Sequence, residues 1–245
     1  MKPFLFLGTR AEDTVADSEY AALLRFSELD ERDLRRLRLE QHELGDIDLD
    51  DWSGIILGGS PFSISDPPEL KSPAQHRVEA ELRALATRVV AEDFPFLGAC
   101  YGIGTLGTLD GGRVDRTYGE PIGPVGIRLT DAGREDPLLG VLPETFEAFL
   151  GHKEAVSRMP EGGVLLASSQ ACPVQAFRIG RHVYATQFHP ELDNEALCQR
   201  IAVYRHHGYF EPTEFDEVMR RAREGVVTEP PRLLARFVEL FARTS

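Results

Sequence analysis

Three short apolar runs, each closed by small residues, restrict this chain more than any other feature. They are FLFLG at Phe4–Gly8, GIILGG at Gly54–Gly59 and FPFLGA at Phe94–Ala99. Runs of four to six residues with no polar alternation suit strands buried on both faces, which is the situation inside a parallel sheet. Amphipathic stretches separate them. Between Ala74 and Val90, Val78, Leu82, Leu85 and Val89 recur at steps of three and four residues, the spacing of one helix face. Tyr20, Leu23, Leu24 and Phe26 give a less regular helical face, and Leu37 and Leu39 alternate as in another strand. Strand, helix, strand in succession predicts an α/β fold with a doubly wound, mainly parallel sheet flanked by helices.

Past Leu109 the texture changes. PVGIRLTD, TFEAFLG, GVLLASS, PVQAFRIG and HVYATQF are short strand-like runs set off by Gly, Pro, Asp or Ser. Some are expected to add antiparallel strands to the parallel core. From Asn194 the pattern is helical, from Glu195 to Phe210, Thr213 to Gly225 and Pro230 to Thr244, with Gly208, Pro212, Gly225 and Pro230–Pro231 as stops and starts. The expected division is a domain over residues 1–192 and a helical C-terminal extension over 193–245 packed on it.

Charge and cysteine content exclude several functions. The formal net charge is −13, which argues against nucleic acid as a partner, since phosphate neutralisation needs basic patches. No apolar run is long enough for a bilayer, and the opening Met1–Asp13 reads as a strand rather than a signal peptide. Cys100, Cys172 and Cys198 lack the spacing of a zinc site or a disulfide framework. No metal or other cofactor is expected, and a reduced, cytoplasmic setting fits.

Cys100 is the conspicuous thiol. It follows a buried strand and precedes a helix expected to begin near Gly102, at the strand end where open α/β sheets bind ligands. Gly98, Ala99 and Gly102 leave room for a sharp turn, and a helix amino terminus favours a thiolate. Taken alone, a free cysteine is more often a packing residue. A second segment bears on the choice. In YATQFHPEL, Tyr184–Leu192, an apolar run ends at His189, and Glu191 follows across a proline. A thiol nucleophile needs a base, and the base needs an orienting acceptor. His189 and Glu191 could supply both, although His-Pro-Glu by itself fits a solvated loop equally well. A third segment is ILGGSPFSISD, where Gly58 and Gly59 end a strand. An amide there, with that of Tyr101, could hold an oxyanion, or the glycines could form an ordinary turn.

Together these motifs resemble the class I, triad-type glutamine amidotransferases, in the branch that includes the glutaminase domain of GMP synthetases. Gly58-Gly59-Ser60-Pro61 matches the family's oxyanion loop, Gly98-Ala99-Cys100-Tyr101-Gly102 its nucleophile elbow, and His189-Pro190-Glu191 its base and acid, in the family order. GHKEAVSRMPEG, Gly151–Gly162, is similar to a segment that carries His-x-Asp-x-Val, with His152, Glu154 and Val156 at those places and Glu replacing Asp. The likeness runs from about Lys2 to Leu192, and the helical tail resembles stand-alone members. It implies a flavodoxin-like fold and a mechanism. Cys100 attacks the side-chain amide of glutamine, the Gly59 and Tyr101 amides hold the oxyanion, and His189 protonates ammonia while Glu191 steadies its ring. Gly58, Gly104, Gly151 and His152 border the substrate. Two departures stand out. The family glutamine four residues after the nucleophile is Gly104 here, which either leaves space for a larger γ-glutamyl substrate or is filled from the Ser60–Asp66 or Leu150–Glu154 segment. No synthase domain or GxxxxGK[ST] loop is expected, so the ammonia acceptor is another chain or there is none. A γ-glutamyl peptidase or hydrolase and a non-catalytic regulatory relative are the alternatives.

Overall fold

The computed structural model describes residues 1–244. Its strands are β1 (Phe4–Gly8), β2 (Leu34–Arg38), β3 (Gly54–Leu57), β4 (Phe96–Ala99), β5 (Arg113–Asp115), β6 (Glu120–Leu129), β7 (Thr145–His152), β8 (Ala155–Arg158), β9 (Gly163–Ser169), β10 (Ala176–Ile179) and β11 (Val183–Thr186). Its helices are α1 (Asp13–Ser27), α2 (Pro73–Ala91), α3 (Tyr101–Gly107), α4 (Asp131–Glu135), α5 (Asn194–Val203), α6 (Phe215–Glu224) and α7 (Arg232–Phe241).

Nine strands form one sheet in the order β2-β1-β3-β4-β11-β10-β9-β6-β7, and β5 pairs with β8 apart from it. The three apolar runs became β1, β3 and β4. With β2 and β11 they make the parallel half. The runs beyond Leu109 supply the antiparallel half, where β10 pairs with β11 and β9, and β6 with β7 and β9. The mainly parallel α/β expectation therefore holds, with the antiparallel additions confined to one end.

Alternate residues of the central strands feed two cores. Leu5, Leu7, Ile55, Leu57, Phe96 and Val183 face α2 and α3, where Val78, Leu82, Leu85 and Val89 lie buried as their spacing required. Phe4, Phe6, Ile56, Leu97 and Tyr184 face the other way, against α1 and α7. Phe237 of α7 is fully buried, with its ring centroid 5.9 Å from that of Phe4. Burial of one such side chain stabilises by roughly 1.5–3 kcal/mol, and Leu233 and Leu234 of α7 are buried in the same core. A third core holds Leu197, Ile201, Val218 and Ala222 of α5 and α6 against Ile122 and Phe149 of the β6–β7 pair.

Local signals set the helix ends. Pro73 opens α2 behind Ser72, whose hydroxyl accepts from the Gln75 amide at 3.1 Å, and Asp193 caps α5 by accepting from the Ala196 amide at 2.8 Å. The helix expected from Glu195 to Phe210 stops at Val203; Gly208, with φ of 73°, takes a left-handed conformation that a helix cannot contain.

The chain leaves β1 for β2 on one side and, after β2, returns to β3 on the other. The carboxyl ends of β1, β3, β4 and β11 lie side by side at this reversal, where the fold leaves a crevice.

Candidate active site

Cys100 sits on a strained turn. Its φ of 54° and ψ of −85° are unusual for a residue with a side chain, and its amide donates to Thr186 O at 2.7 Å, tying the elbow to β11. The flanking glycines are a steric necessity. A Cβ on Gly98 would stand 2.8 Å from the Gly102 Cα, so the strand and the first turn of α3 touch backbone to backbone. The thiol is partly exposed in the crevice, whereas Cys172 is fully buried and burial pushes its thiol up to about 11. Cys198 lies on α5, packed beside the third core.

His189 and Glu191 reach the same place from the end of β11. The His189 amide donates to Phe149 O at 3.0 Å, and its Nδ1 lies 2.7 Å from Glu191 Oε1. Both side chains are buried. Burial alone would lower the His189 pKa, but the Glu191 carboxylate and then the charge of Cys100 outweigh it and lift the imidazole to about 9. Burial likewise opposes the Glu191 charge, yet His189 and Arg200 hold its carboxyl well below the ordinary range. The site thus favours an imidazolium held by the Glu191 carboxylate.

The glycine loop after β3 comes against the imidazole. A Cβ on Gly59 would meet both His189 Cε1 and Arg10 Nη2 at 2.6 Å. The two glycines are not equivalent. The Gly58 amide donates to Leu7 O at 3.1 Å and is used up in the sheet, while no described residue accepts from the Gly59 or Tyr101 amides.

The remaining expected residues line the cavity in front of Cys100: Tyr101, Gly104, Gly151 and His152. Gly151 is glycine because β7 lies against the irregular stretch of β6 there, and a Cβ would collide with Ile122 Cγ1. His152 is anchored at both ring nitrogens, Nδ1 2.9 Å from Glu154 O and Nε2 3.0 Å from Glu120 Oε2, so neither nitrogen is spare for a substrate. Glu120 also takes Ser169 Oγ and Gln175 Nε2. Donor atoms of Glu120, His152 and Cys172 lie within 4.8 Å of one another. With the first two committed to hydrogen bonds and the thiol protonated, the set is a buried polar network rather than a metal cradle. Gly104 is not a vacancy: Ile64 Cδ1 lies 3.0 Å from the place of its missing Cβ, and Glu154 Oε1 3.6 Å. Glu154 accepts from the Ile64 and Ser65 amides at 2.8 and 2.7 Å, clamping that loop over α3.

A family model described as glutamine amidotransferase class-I matches residues 25–205. The chain belongs to that family. Among its relatives, the glutamine-hydrolysing GMP synthase of Thermosipho melanesiensis is 29% identical over 150 residues, which are 61% of this chain and 26% of that protein. The corresponding enzyme of Porphyromonas gingivalis is 34% identical over 151 residues, 59% of this chain and again 26% of the relative. This amidotransferase chain thus spans about a quarter of the length of those relatives. Solved structures share its fold along the whole chain. A glutamine amidotransferase from Thermotoga maritima gives a TM-score of 0.75 at 18% identity, covering 100% of both chains. One from Methylobacillus flagellatus gives 0.71 at 19% identity, covering 100% of this chain and 97% of the other. No helix among the described residues is long and apolar enough to cross a membrane.

Several residues around the same cavity carry no motif. Gln187 lines the cavity with a buried, unpartnered Oε1. Tyr209, from the loop after α5, lines it too, its phenol pushed up by burial and then by the charge of Cys100. Arg10, Glu19 and Arg200 are buried charges packed behind His189.

Proposed function

We propose that this chain is a cysteine-dependent glutaminase with Cys100, His189 and Glu191 as its triad. The reading is carried by one juxtaposition, the strained Cys100 elbow beside an imidazole whose Nδ1 is held 2.7 Å from Glu191. In the first step the Cys100 sulfur adds to the amide carbon of the glutamine side chain. The oxygen becomes an oxyanion facing the Gly59 and Tyr101 amides, where preorganised donors lower the barrier. The intermediate collapses, the C–N bond breaks, and the His189 imidazolium gives its proton to the leaving nitrogen, releasing ammonia and a γ-glutamyl thioester. Neutral His189 then takes a proton from water as it attacks the thioester, glutamate leaves, and the proton returns the Cys–His pair to its starting state. Glu191 stays ionised throughout and orients the ring.

The matched relatives are named as synthases that hydrolyse glutamine, and this chain covers only their amidotransferase portion. Ammonia released at this site would be passed to a synthase that uses it. A γ-glutamyl amide bulkier than glutamine is the second reading. Gly104 bears on it only by presenting no polar side chain to grip a free amino acid, since Ile64 fills the space beside it.

The test is ammonia release from glutamine and from a panel of γ-glutamyl amines and dipeptides, with Cys100→Ala as the control. A glutamine-site alkylating analogue should label Cys100 and spare Cys172 and Cys198. Labelling of either of those with Cys100 untouched, or a Cys100→Ala protein that still releases ammonia, overturns the assignment.

A further inference from the structure

Arg200 belongs to none of the motifs and comes from α5, beyond the segment that carries them, yet its guanidinium ends inside the site. It is 6% exposed and reaches three residues at once. Nη2 donates to Glu191 Oε1 at 2.9 Å and to Glu19 Oε1 at 3.2 Å, and Nη1 lies 3.1 Å from His189 Nδ1. We propose that Arg200 is a positioning residue of this site, a fourth member that fixes the Glu191 carboxylate and through it the His189 ring. The proposal rests on the triad reading above.

The Glu191 carboxylate shows why it is needed. Oε1 accepts from His189 and Arg200, while Oε2 is buried without a partner. Without Arg200 a buried carboxylate would keep a single side-chain donor, the imidazole it is supposed to orient. A buried charge in that state takes up a proton or turns away. The Nη1 approach to His189 is a packing contact, because Nδ1 spends its proton on Glu191; it places the guanidinium edge against the ring and fixes its tilt.

Every charged group facing this centre is accounted for. From α1 comes Glu19, which also accepts from Arg10 Nε at 3.0 Å. From the loop after β1 come Arg10 and Glu12, joined through the hydroxyl of Tyr204, just past α5, at 3.2 and 3.1 Å. From the elbow comes Cys100, from the end of β11 His189 and Glu191, and from the loop after α5 Tyr209. Glu19 and Glu191 are balanced by Arg10 and Arg200. Glu12, held by the Tyr204 hydroxyl, is one carboxylate beyond that balance. Removing Arg200 leaves one further negative charge unbalanced beside the thiol–imidazole pair, and proton uptake must move to higher pH.

The experiment follows alkylation of Cys100 by iodoacetamide as a function of pH, read by mass spectrometry on the Cys100 peptide, in the wild type, Arg200→Lys and Arg200→Met. No substrate is involved, so the outcome is independent of whether glutamine is turned over. The midpoint is expected to rise by roughly one pH unit in Arg200→Met, the scale of losing a nearby opposite charge, and to return most of the way in Arg200→Lys. In the ammonia assay Arg200→Met should lose kcat with KM little changed, and its acid limb should rise with the alkylation midpoint. A midpoint at the wild-type position in both variants overturns the proposal, because a merely structural arginine would lower the yield of folded protein without moving it. If Arg200→Met does not fold, Arg200→Lys decides: a smaller upward step supports the role and no step refutes it. A shifted midpoint in a chain that releases no ammonia from any γ-glutamyl amide would refute the glutaminase reading and leave Arg200 in place.

Discussion

Gly59 and His189 approach so closely that a single methyl group on the glycine would lie 2.6 Å from the imidazole Cε1, and 2.6 Å from Arg10 Nη2 on its other side. Neither neighbour can retreat without straining its own bond, that of His189 to Glu191 and of Arg10 to Glu19. Gly59→Ala is therefore expected to keep the fold and displace the imidazole. A misplacement near 1 Å can cost on the order of 10²-fold in rate, and steady-state kinetics beside a thermal melt will separate the two effects. Full activity in Gly59→Ala would show that the loop can withdraw and that the contact does not position the base.

His189→Ala is expected to lower ammonia release by roughly 10²-fold or more, the scale of a positioned acid–base group. Glu191→Gln should cost less, because an amide oxygen still accepts from Nδ1 while the charge is lost. The order of the two losses is the check. The other histidines, His42, His76, His182, His206 and His207, should be replaceable at little cost to rate.

The His189–Glu191 pair gives stability a pH signature. His189 is raised from 6.5 to about 9, so its contribution is complete below about pH 6.5 and is lost as pH rises through 9. Glu191 is lowered from 4.5, so its contribution is complete above that value and is lost as pH falls through its folded pKa. The stability gap between wild type and Glu191→Gln should be widest between these limits, in mildly acidic solution, and narrow as pH climbs toward 9. Urea melts across the range will show it; a gap that widens with alkalinity contradicts the charge assignment.

Ile64 occupies the place that a side chain at residue 104 would need. Gly104→Gln alone is thus expected to overpack the loop and destabilise the protein by about 1–3 kcal/mol, rather than to improve glutamine binding. Combined with Ile64→Ala, the new amide should fit. KM for glutamine should then fall and activity on bulkier γ-glutamyl amides should drop. Unchanged ratios between the two substrate classes in the double variant would remove residue 104 from the question of specificity.

The strands were legible because burial on both faces leaves a continuous apolar run, and β1, β3 and β4 stand where those runs are. The Cys100 elbow was legible because a turn that tight admits only small residues around the thiol. Arg200 was not. On a helix, an arginine between Gln199 and Ile201 reads as part of a solvated face, and its partner Glu19 is 181 residues away along the chain. Pairing at that distance is created by the packing of α5 beside α1, and no local spacing announces it. Nor could the sequence choose between an empty Gly104 and a filled one. The choice depends on the Glu154 carboxylate fastening the Ile64 and Ser65 amides, a contact between segments 90 residues apart. The helix read as far as Phe210 failed for a simpler reason: Tyr204 and Tyr209 line the site and Phe210 packs against the third core, and none of them continues a helical face.

The left-handed backbone at Cys100 sets folding and chemistry against each other at one residue. Holding a side chain at φ of 54° costs about 1–3 kcal/mol. Glycine would relieve that at the expense of about 0.5–1 kcal/mol of extra freedom in the unfolded chain. An inert Cys100→Gly protein should therefore resist denaturant better than the active one. Stability selected without regard to turnover would erase the sulfur first, and a thiol that persists at this dihedral is a mark of use.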